Sequence, residues 1–209
     1  MAFILSIVIV FLLLVGSELY WRKRGLHDEF SRKLIHITVG SYVAFWPYML
    51  SARQIQLLSA AFLVIVAISK YFNLFSVIHS VQRPTWGELW FALVVGLLSF
   101  TLHHPHIYTA ALLEMSLADG MAAVIGTRYG KRLRYSVFGS AKSLEGTLTF
   151  FVISCLILSG YALASHMMLV AYLIIPISLG ATLLENVAVR GSDNLVVPLY
   201  MAVVLIGLT

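Results

Sequence analysis

Residues 113–131 read LEMSLADGMAAVIGTRYGK, and this stretch decides the class of protein. It is mostly apolar, yet it carries two carboxylates, Glu114 and Asp119, and it ends in a group of basic residues. A charged side chain in hydrocarbon is costly, so such a residue faces the protein interior and marks a function. The stretch therefore predicts a membrane helix with a functional carboxylate.

The composition extends this prediction to the whole chain. Of its 209 residues, 60% are hydrophobic and 11% are charged, and the mean hydropathy is +0.93. Soluble domains are typically about 25% charged. The chain is therefore predicted to be all-α, a polytopic membrane helix bundle, with residues 1–209 forming a single integral membrane domain.

Eight apolar segments are long enough to suggest helices in the bilayer. They are residues 2–20, 34–50, 54–69, 88–102, 107–126, 143–163, 167–184 and 195–208. A spanning helix needs roughly 20 residues, so segments 88–102 and 195–208 either cross only partly or re-enter. We expect seven to eight transmembrane helices. Pro176 and Gly180 predict a kink in segment 167–184 that opens room for a lipid tail.

The basic residues predict the orientation. All 14 Lys and Arg residues except Arg53 lie in alternate connections or at segment ends on one face. Short loops rich in Lys and Arg stay cytoplasmic, so this face is predicted to be cytoplasmic and both termini to face outward. The same clustering indicates that the net charge of +5 orients the chain in the bilayer and does not bind nucleic acid.

Carboxylates gather on the same face. Asp28, Glu29, Glu88, Glu145, Glu185 and Asp193 all lie in or beside the predicted cytoplasmic loops. Asp119 lies about 10 Å inward from Gly126, at roughly 1.5 Å per helical residue. Acids and bases on one face can hold a divalent cation and a polyphosphate together, which is the theme of phosphoryl transfer.

The first block whose side chains could take part in a reaction is DEFSRKLIHITVG, residues 28–40. Arg32 and Lys33 stand at the start of the second segment, and His36 follows one helical turn further in on the same face as Arg32. Arg grips phosphate oxygens with two parallel bonds, and Lys adds a mobile point charge. The alternative is a pair that only anchors the helix end at the interface.

The second block joins ADGMAAVIGTRYGK, residues 118–131, to KSLEGT, residues 142–147. Asp119 suits Mg²⁺, which favours one or two carboxylates plus phosphate oxygens. A basic, glycine-punctuated loop then leads to a helix that begins near Ser143, whose free N–H groups and dipole favour an anion. Lys142 stands at that start, with Glu145 inside the first turn. The alternative for the small residues is close helix packing, and Glu114 is expected to bond a neighbouring helix.

The third block is ENVAVRGSDNLVVP, residues 185–198. Glu185 ends the seventh segment, and Asp193 and Asn194 follow in a predicted cytoplasmic turn. Asp and Asn are common turn residues, so the block gains interest only because it faces the other two.

Taken together, these blocks resemble the family of dolichol kinase and phytol kinase. That family includes CTP-dependent diacylglycerol kinases and is related to phosphatidate cytidylyltransferases. The resemblance lies in SRKLIH, ADGMAAVIGTRYGK, KSLEGT and ENVAVRGSDNLVVP, in that order. It implies an integral membrane kinase that moves the γ-phosphate of CTP, with a divalent metal, onto a lipid alcohol. Ala118 departs from the pattern, since many members have Gly before the aspartate.

The resemblance and the residue chemistry give one set of predicted site residues. Those implied as essential by the motif match are Arg32, Lys33, Asp119 and Gly126, while Lys142, Glu145, Gly146, Asp193 and Asn194 also match. We predict a catalytic group of Asp119, Arg32, Lys33 and Asp193. The predicted nucleotide-binding residues are Gly126, Lys131, Lys142, Ser143, Gly146 and Asn194. Mg²⁺ is predicted on Asp119 and Glu145, with Asp193 as the alternative second ligand.

The predicted function is a lipid-alcohol kinase that uses CTP and Mg²⁺ at the cytoplasmic surface of the bilayer. Either Asp193 or Asp119 accepts the alcohol proton. A cytidylyltransferase that makes a CDP-lipid and a transporter of an anionic lipid are the alternatives. CTP rather than ATP rests wholly on the resemblance, and the alcohol and the oligomeric state stay open. The hypothesis requires Arg32, Asp119, Lys142 and Asp193 to lie close together.

Overall fold

Nine helices and one hairpin account for most of the residues described by the computed structural model, which are 1–24, 29–72, 86–130 and 133–209. The helices are α1 (Ala2–Arg24), α2 (Glu29–Ala44), α3 (Ala52–Phe72), α4 (Gly87–Leu98), α5 (Pro105–Leu113), α6 (Asp119–Tyr129), α7 (Leu144–Ser165), α8 (Met168–Val187) and α9 (Asp193–Leu208). The hairpin strands are β1 (Arg134–Val137) and β2 (Ser140–Ser143). Short 3₁₀ turns at Trp46–Tyr48 and Ser99–Thr101 follow α2 and α4.

The predicted all-helical bundle is confirmed. Each of the eight apolar segments coincides with a helix, and segment 107–126 corresponds to α5 and α6 joined end to end. A lone chain segment in hydrocarbon can satisfy its own backbone hydrogen bonds only as a helix, so apolar runs of this length fold in this way.

Within the described residues, four helical stretches are long and apolar enough to cross a bilayer. They are Ala52–Ser69, Pro105–Tyr129, Leu144–Ser165 and Met168–Val187. Ala2–Ser17, Gly87–Thr101 and Asp193–Leu208 are apolar but shorter. Seven to eight crossings and outward termini therefore stay predictions.

Helix α5 forms the centre of the bundle. Ile107, Tyr108 and Leu112 have no exposed surface, and α5 packs against α2, α7 and α9. Other helices keep large apolar side chains on the outside, as at Val64 of α3 and Tyr172 of α8. Such a surface suits helices that face lipid.

A π-helical turn, Glu114–Ala118, joins α5 to α6 directly before Asp119. The Asp119 N–H donates to the carbonyl of Glu114, five residues earlier. Turns of this kind are rare and often lie at functional sites, because the extra residue re-aims the side chains that follow. The Glu114 prediction is confirmed, since Ser154 of α7 donates a 2.9 Å hydrogen bond to its Oε1.

The loop predicted at residues 127–142 contains the β1–β2 hairpin, which the sequence analysis did not anticipate. Arg134 pairs with Ser143 and Val137 with Ser140. Phe138 and Gly139 form the two-residue turn with φ of 47° and 79°, the positive pair of a type I′ turn. The usual sequence signal is Asn-Gly or Asp-Gly, and Phe-Gly does not provide it.

The prediction that α8 leaves room for a lipid tail beside Gly180 is wrong. A Cβ added at Gly180 would lie 2.1 Å from the hydroxyl oxygen of Tyr200 in α9. That hydroxyl donates to the carbonyl of Ile177 at 3.3 Å. Tyr200 therefore fills the space that the small residue leaves in α8.

Candidate active site

A cavity of about 1330 Å³ opens at the end of the bundle where α2, α6, α8 and α9 bring their charged ends together. The hairpin and the start of α7 form one side, and the starts of α4 and α9 form another. Of the predicted site residues, nine line this cavity: Arg32, Lys33, Asp119, Gly126, Lys142, Ser143, Gly146, Asp193 and Asn194. The three sequence blocks therefore meet around one space.

Two predicted residues are not placed there. Lys131 lies outside the described residues. Glu145 does not line the cavity, although it follows Lys142 and Ser143 closely in the chain. Its Oε2 is buried and has no hydrogen-bond partner among the described residues.

Three carboxylates meet inside the cavity. One oxygen each from Asp119, Glu185 and Asp193 lies within 4.8 Å of the other two. Oxygens on opposite sides of one Mg²⁺ are separated by about 4.2 Å, since each Mg–O bond is about 2.1 Å. These three residues, rather than Asp119 with Glu145, fit a divalent cation after a small contraction. We call them the carboxylate triad.

Glu185 was not among the residues predicted to bind metal. It is the only acidic residue of α8, and the sequence placed it among the carboxylates of the predicted cytoplasmic face and in the third block. Because helix ends meet in ways that depend on packing, the sequence alone did not show whether α7 or α8 would turn its glutamate inward. The shared block with Asp193 was the available signal.

Lysines hold two members of the triad. Lys33 Nζ lies 2.6 Å from Asp119 Oδ2. Lys142 pairs with the side chain of Glu185 and also donates to its backbone carbonyl at 2.9 Å. Each pair joins two of the sequence blocks, which explains how distant segments are held around one cavity.

Charge and burial shift the pKa of the groups that lie at helix starts, outside the four candidate spans. Burial raises the pKa of the Asp193 carboxyl, and the nearby Asp119 carboxylate raises it further. Burial lowers the pKa of the Lys33 ammonium, but Asp119 and then Asp193 outweigh it, so the net pKa is raised. Lys33 therefore stays charged beside the triad.

Glycines allow α6 and α7 to cross closely at the cavity wall. A Cβ on Gly126 would lie 2.9 Å from Ser143 Oγ, and a Cβ on Gly146 would lie 3.0 Å from the Ala122 carbonyl oxygen. This supports the packing alternative for these glycines and keeps Lys142 near α6.

The start of α7 has fewer free backbone N–H groups than the sequence predicted. Ser143 caps the helix by accepting a 3.1 Å hydrogen bond from the Gly146 N–H. The Leu144 N–H donates to the Leu133 carbonyl at 3.0 Å. Fewer backbone N–H groups are therefore left for an anion at this helix start than the sequence predicts.

The turn before α9 is fixed by a close contact with α4. Gly191 has φ of +85°, and a Cβ there would lie 2.7 Å from Gly87 Cα. The Asn194 side chain donates to the Gly87 carbonyl at 3.0 Å. Asn194, which was predicted to bind nucleotide, thus also positions the turn that carries Asp193.

The hairpin is tied to the helices through Tyr135. Its hydroxyl hydrogen-bonds to Thr147 of α7 and to Asn186 of α8. Thr147 also donates to Asn186 Oδ1 at 3.2 Å. This polar network, which the sequence analysis missed, orders the two helix ends that carry Lys142 and Glu185.

Known proteins are similar in sequence to this chain over most of its length. The chain is 32% identical over 182 residues to the phytol kinase of Synechocystis sp., an alignment that covers 84% of this chain and 78% of that protein. The chain belongs to the phytol kinase and dolichol kinase family. It is thus a membrane protein from a family of lipid-alcohol kinases.

Two further relatives agree with this membership. The chain is 29% identical over 204 residues to the probable phytol kinase 1, chloroplastic, of Glycine max, covering 85% of this chain and 66% of that protein. It is 35% identical over 98 residues to the dolichol kinase of Saccharomyces cerevisiae, covering 44% of this chain and 18% of that protein. No family model and no solved structure matches the chain.

Proposed function

We propose that this chain transfers the γ-phosphate of CTP to a membrane lipid alcohol of the phytol or polyprenol type at the cytoplasmic surface. One observation carries the proposal: Arg32, Lys33 and Lys142 line the same cavity as the carboxylate triad. A site with both signs of charge suits a metal and a polyphosphate together. Diacylglycerol is the alternative acceptor.

Asp119 and Glu185 would hold Mg²⁺, because hard carboxylate oxygens are the ligands this ion prefers. Asp193 beside them would act as the base. A bound Mg²⁺ would supply positive charge against the nucleotide phosphates. Glu145 is replaced in this proposal by Glu185, since Glu145 lies outside the triad.

The basic side chains would bind and orient the nucleotide phosphates. Lys33 and Lys142 hold carboxylates in the structure, and each would shift toward phosphate oxygens as the nucleotide enters. Arg32 lies 3.9 Å from Glu88 and also lines the cavity. Fixed positive charge around the transferring group stabilises the charge spread over its oxygens.

The reaction forms a bond between the alcohol oxygen and the γ-phosphorus and breaks the bond from that phosphorus to the β–γ bridging oxygen. The products are CDP and the lipid phosphate. Asp193 is the proposed acceptor of the hydroxyl proton. Within the described residues, no lysine or arginine pairs with it at salt-bridge distance, whereas Asp119 and Glu185 each have a lysine partner.

The test is a kinase assay with purified protein in nanodiscs and CTP labelled in its γ-phosphate. The acceptors are phytol, geranylgeraniol, a polyprenol and a diacylglycerol, and ATP replaces CTP in a parallel series. We expect labelled lipid phosphate and CDP, with loss of product in Asp119→Asn. A separate reaction offers phosphatidate as the acceptor, and pyrophosphate with a CDP-lipid formed from it would instead identify a cytidylyltransferase. The absence of nucleotide turnover with every acceptor would contradict both enzymes.

A further inference from the structure

A second cavity of about 80 Å³ lies beside the candidate active site, and we call it the side cleft. Its apolar lining consists of Leu14 of α1, Ile35 and Val39 of α2, Phe62 and Val66 of α3, and Phe91 of α4. Arg32 and Asn194 line both cavities. The side cleft therefore adjoins the site that holds the carboxylate triad, with Arg32 and Asn194 between the two cavities.

The side cleft lies where two helix pairs meet loosely. Helix α1 packs mainly on α2, and α3 packs mainly on α4, while the backbones of α2 and α4 make few close contacts. Side chains span the gap. Arg32 Nη1 lies 3.9 Å from Glu88 Oε1, and the ring centroids of His36 and Phe91 are 5.5 Å apart. Such a junction offers a sideways route from the bilayer to the active site.

One end of the side cleft is polar. Arg32, His36 and Glu88 line it together with the apolar residues. His36 Nε2 lies 3.1 Å from the Met115 carbonyl oxygen and 4.0 Å from Asp119 Oδ2. A molecule with a hydroxyl at one end and a hydrocarbon chain at the other would match this polarity, with its hydroxyl next to Asp119.

We propose that the side cleft is the acceptor subsite and that it takes a single-chain alcohol, with the hydroxyl at the His36 end and the chain between α2, α3 and α4. This inference rests on the kinase function proposed above. The small volume admits the hydroxyl end of one isoprenoid or alkyl chain, and the rest of the chain would extend into the bilayer. The hydroxyl of a diacylglycerol instead sits on a glycerol unit that carries two ester-linked chains, which would not enter.

Tryptophan substitution on α3 tests this with a matched control. Val66 is 5% exposed and lines the side cleft, whereas Val64, on the other side of the same helix, is 55% exposed. We expect Val66→Trp to lower kcat/KM for phytol and geranylgeraniol by at least about tenfold, which is the scale of a steric change in a hydrophobic pocket. The KM for CTP should stay unchanged, and Val64→Trp should behave as wild type.

A short acceptor separates blocking from misfolding. Prenol, a single isoprene alcohol, would occupy only the His36 end of the cleft, so Val66→Trp should lose several-fold less activity with prenol than with phytol. Equal losses for prenol, phytol and Val64→Trp would overturn the inference. A wild-type protein that phosphorylates no alcohol would instead refute the kinase function.

Photocrosslinking gives a readout that needs no catalysis. Wild-type protein in nanodiscs is irradiated, without nucleotide, with a geranylgeraniol analogue that carries a diazirine near its hydroxyl. We expect labelled peptides from α2, α3 and α4 around the side cleft, with competition by phytol and not by dioleoylglycerol. Labelling of other helices alone, or equal competition by phosphatidylcholine, would overturn the proposal and identify a general lipid contact.

Discussion

At the residue scale, the candidate site is defined by which glutamate joins Asp119 and Asp193. The sequence predicted Glu145 of the KSLEGT block as the metal ligand beside Asp119. In the structure it is Glu185 that lies in the triad. The difference arises because Lys142 reaches across to α8 and pairs with Glu185. Measurements of metal-dependent activity and of metal binding can distinguish Glu185 from Glu145 as the ligand.

We expect Glu185→Gln to raise the Mg²⁺ concentration needed for half-maximal activity by about tenfold or more, because the loss of one charged ligand weakens a hard-cation site. Binding of Mn²⁺, followed by electron paramagnetic resonance without substrate, should weaken in parallel. Glu145→Gln serves as the comparison and should leave Mn²⁺ binding unchanged. The reverse pattern would restore the assignment made from the sequence.

Lys33 provides the second prediction at this scale. Its ammonium lies 2.6 Å from Asp119 and stays charged next to the triad. Replacing Lys33 with Met should reduce kcat by about 100-fold, the scale seen when one preorganised charge-stabilising group is removed. Lys33→Arg should recover part of the rate. Turnover by Lys33→Met at the wild-type rate would show that this charge has no part in catalysis.

At the scale of elements, the crossing of α6 and α7 determines where Lys142 and Ser143 lie. The crossing is close because Gly126, Gly130 and Gly146 carry no side chains. A Cβ on Gly130 would lie 2.5 Å from the Cβ of Ser143, directly before α7, and 2.3 Å from the Gly126 carbonyl oxygen of α6 itself.

Gly130→Ala should therefore destabilise the protein by about 1–3 kcal/mol, as overpacking commonly does. Gly160→Ala is the control, because a Cβ at Gly160 of α7 meets nothing within 4 Å. It should be neutral or stabilising by up to about 1 kcal/mol through helix propensity. Thermal unfolding in detergent measures both. Equal melting temperatures for the two variants would mean that the helices do not cross closely at Gly130.

At the scale of the whole molecule, the basic loops predict the orientation in the bilayer, and single cysteines can test it. Cys155 is the only cysteine, so Cys155→Ser gives a background without thiols. Ser136 of β1 and Ser51 between α2 and α3 are exposed. With a membrane-impermeant maleimide on intact cells, Ser51→Cys should react and Ser136→Cys should react only after permeabilisation. The opposite result would invert the topology.

Much of the bundle was predictable because apolar runs in lipid have only one way to satisfy their backbone. The coming together of the three blocks was also predictable, since one-sided charge placed them on one face. The hairpin was missed because Phe138 and Gly139 lack the usual turn signal. The π-helical turn before Asp119 was missed because it is a property of the backbone that no residue type announces.

The loose junction between the α1–α2 and α3–α4 pairs has a kinetic consequence. If one substrate arrives from water and the other from the bilayer, the velocity follows the mole fraction of alcohol in the membrane rather than its bulk concentration. Diluting the alcohol with inert phospholipid at fixed total alcohol should slow the enzyme, whereas adding buffer should not.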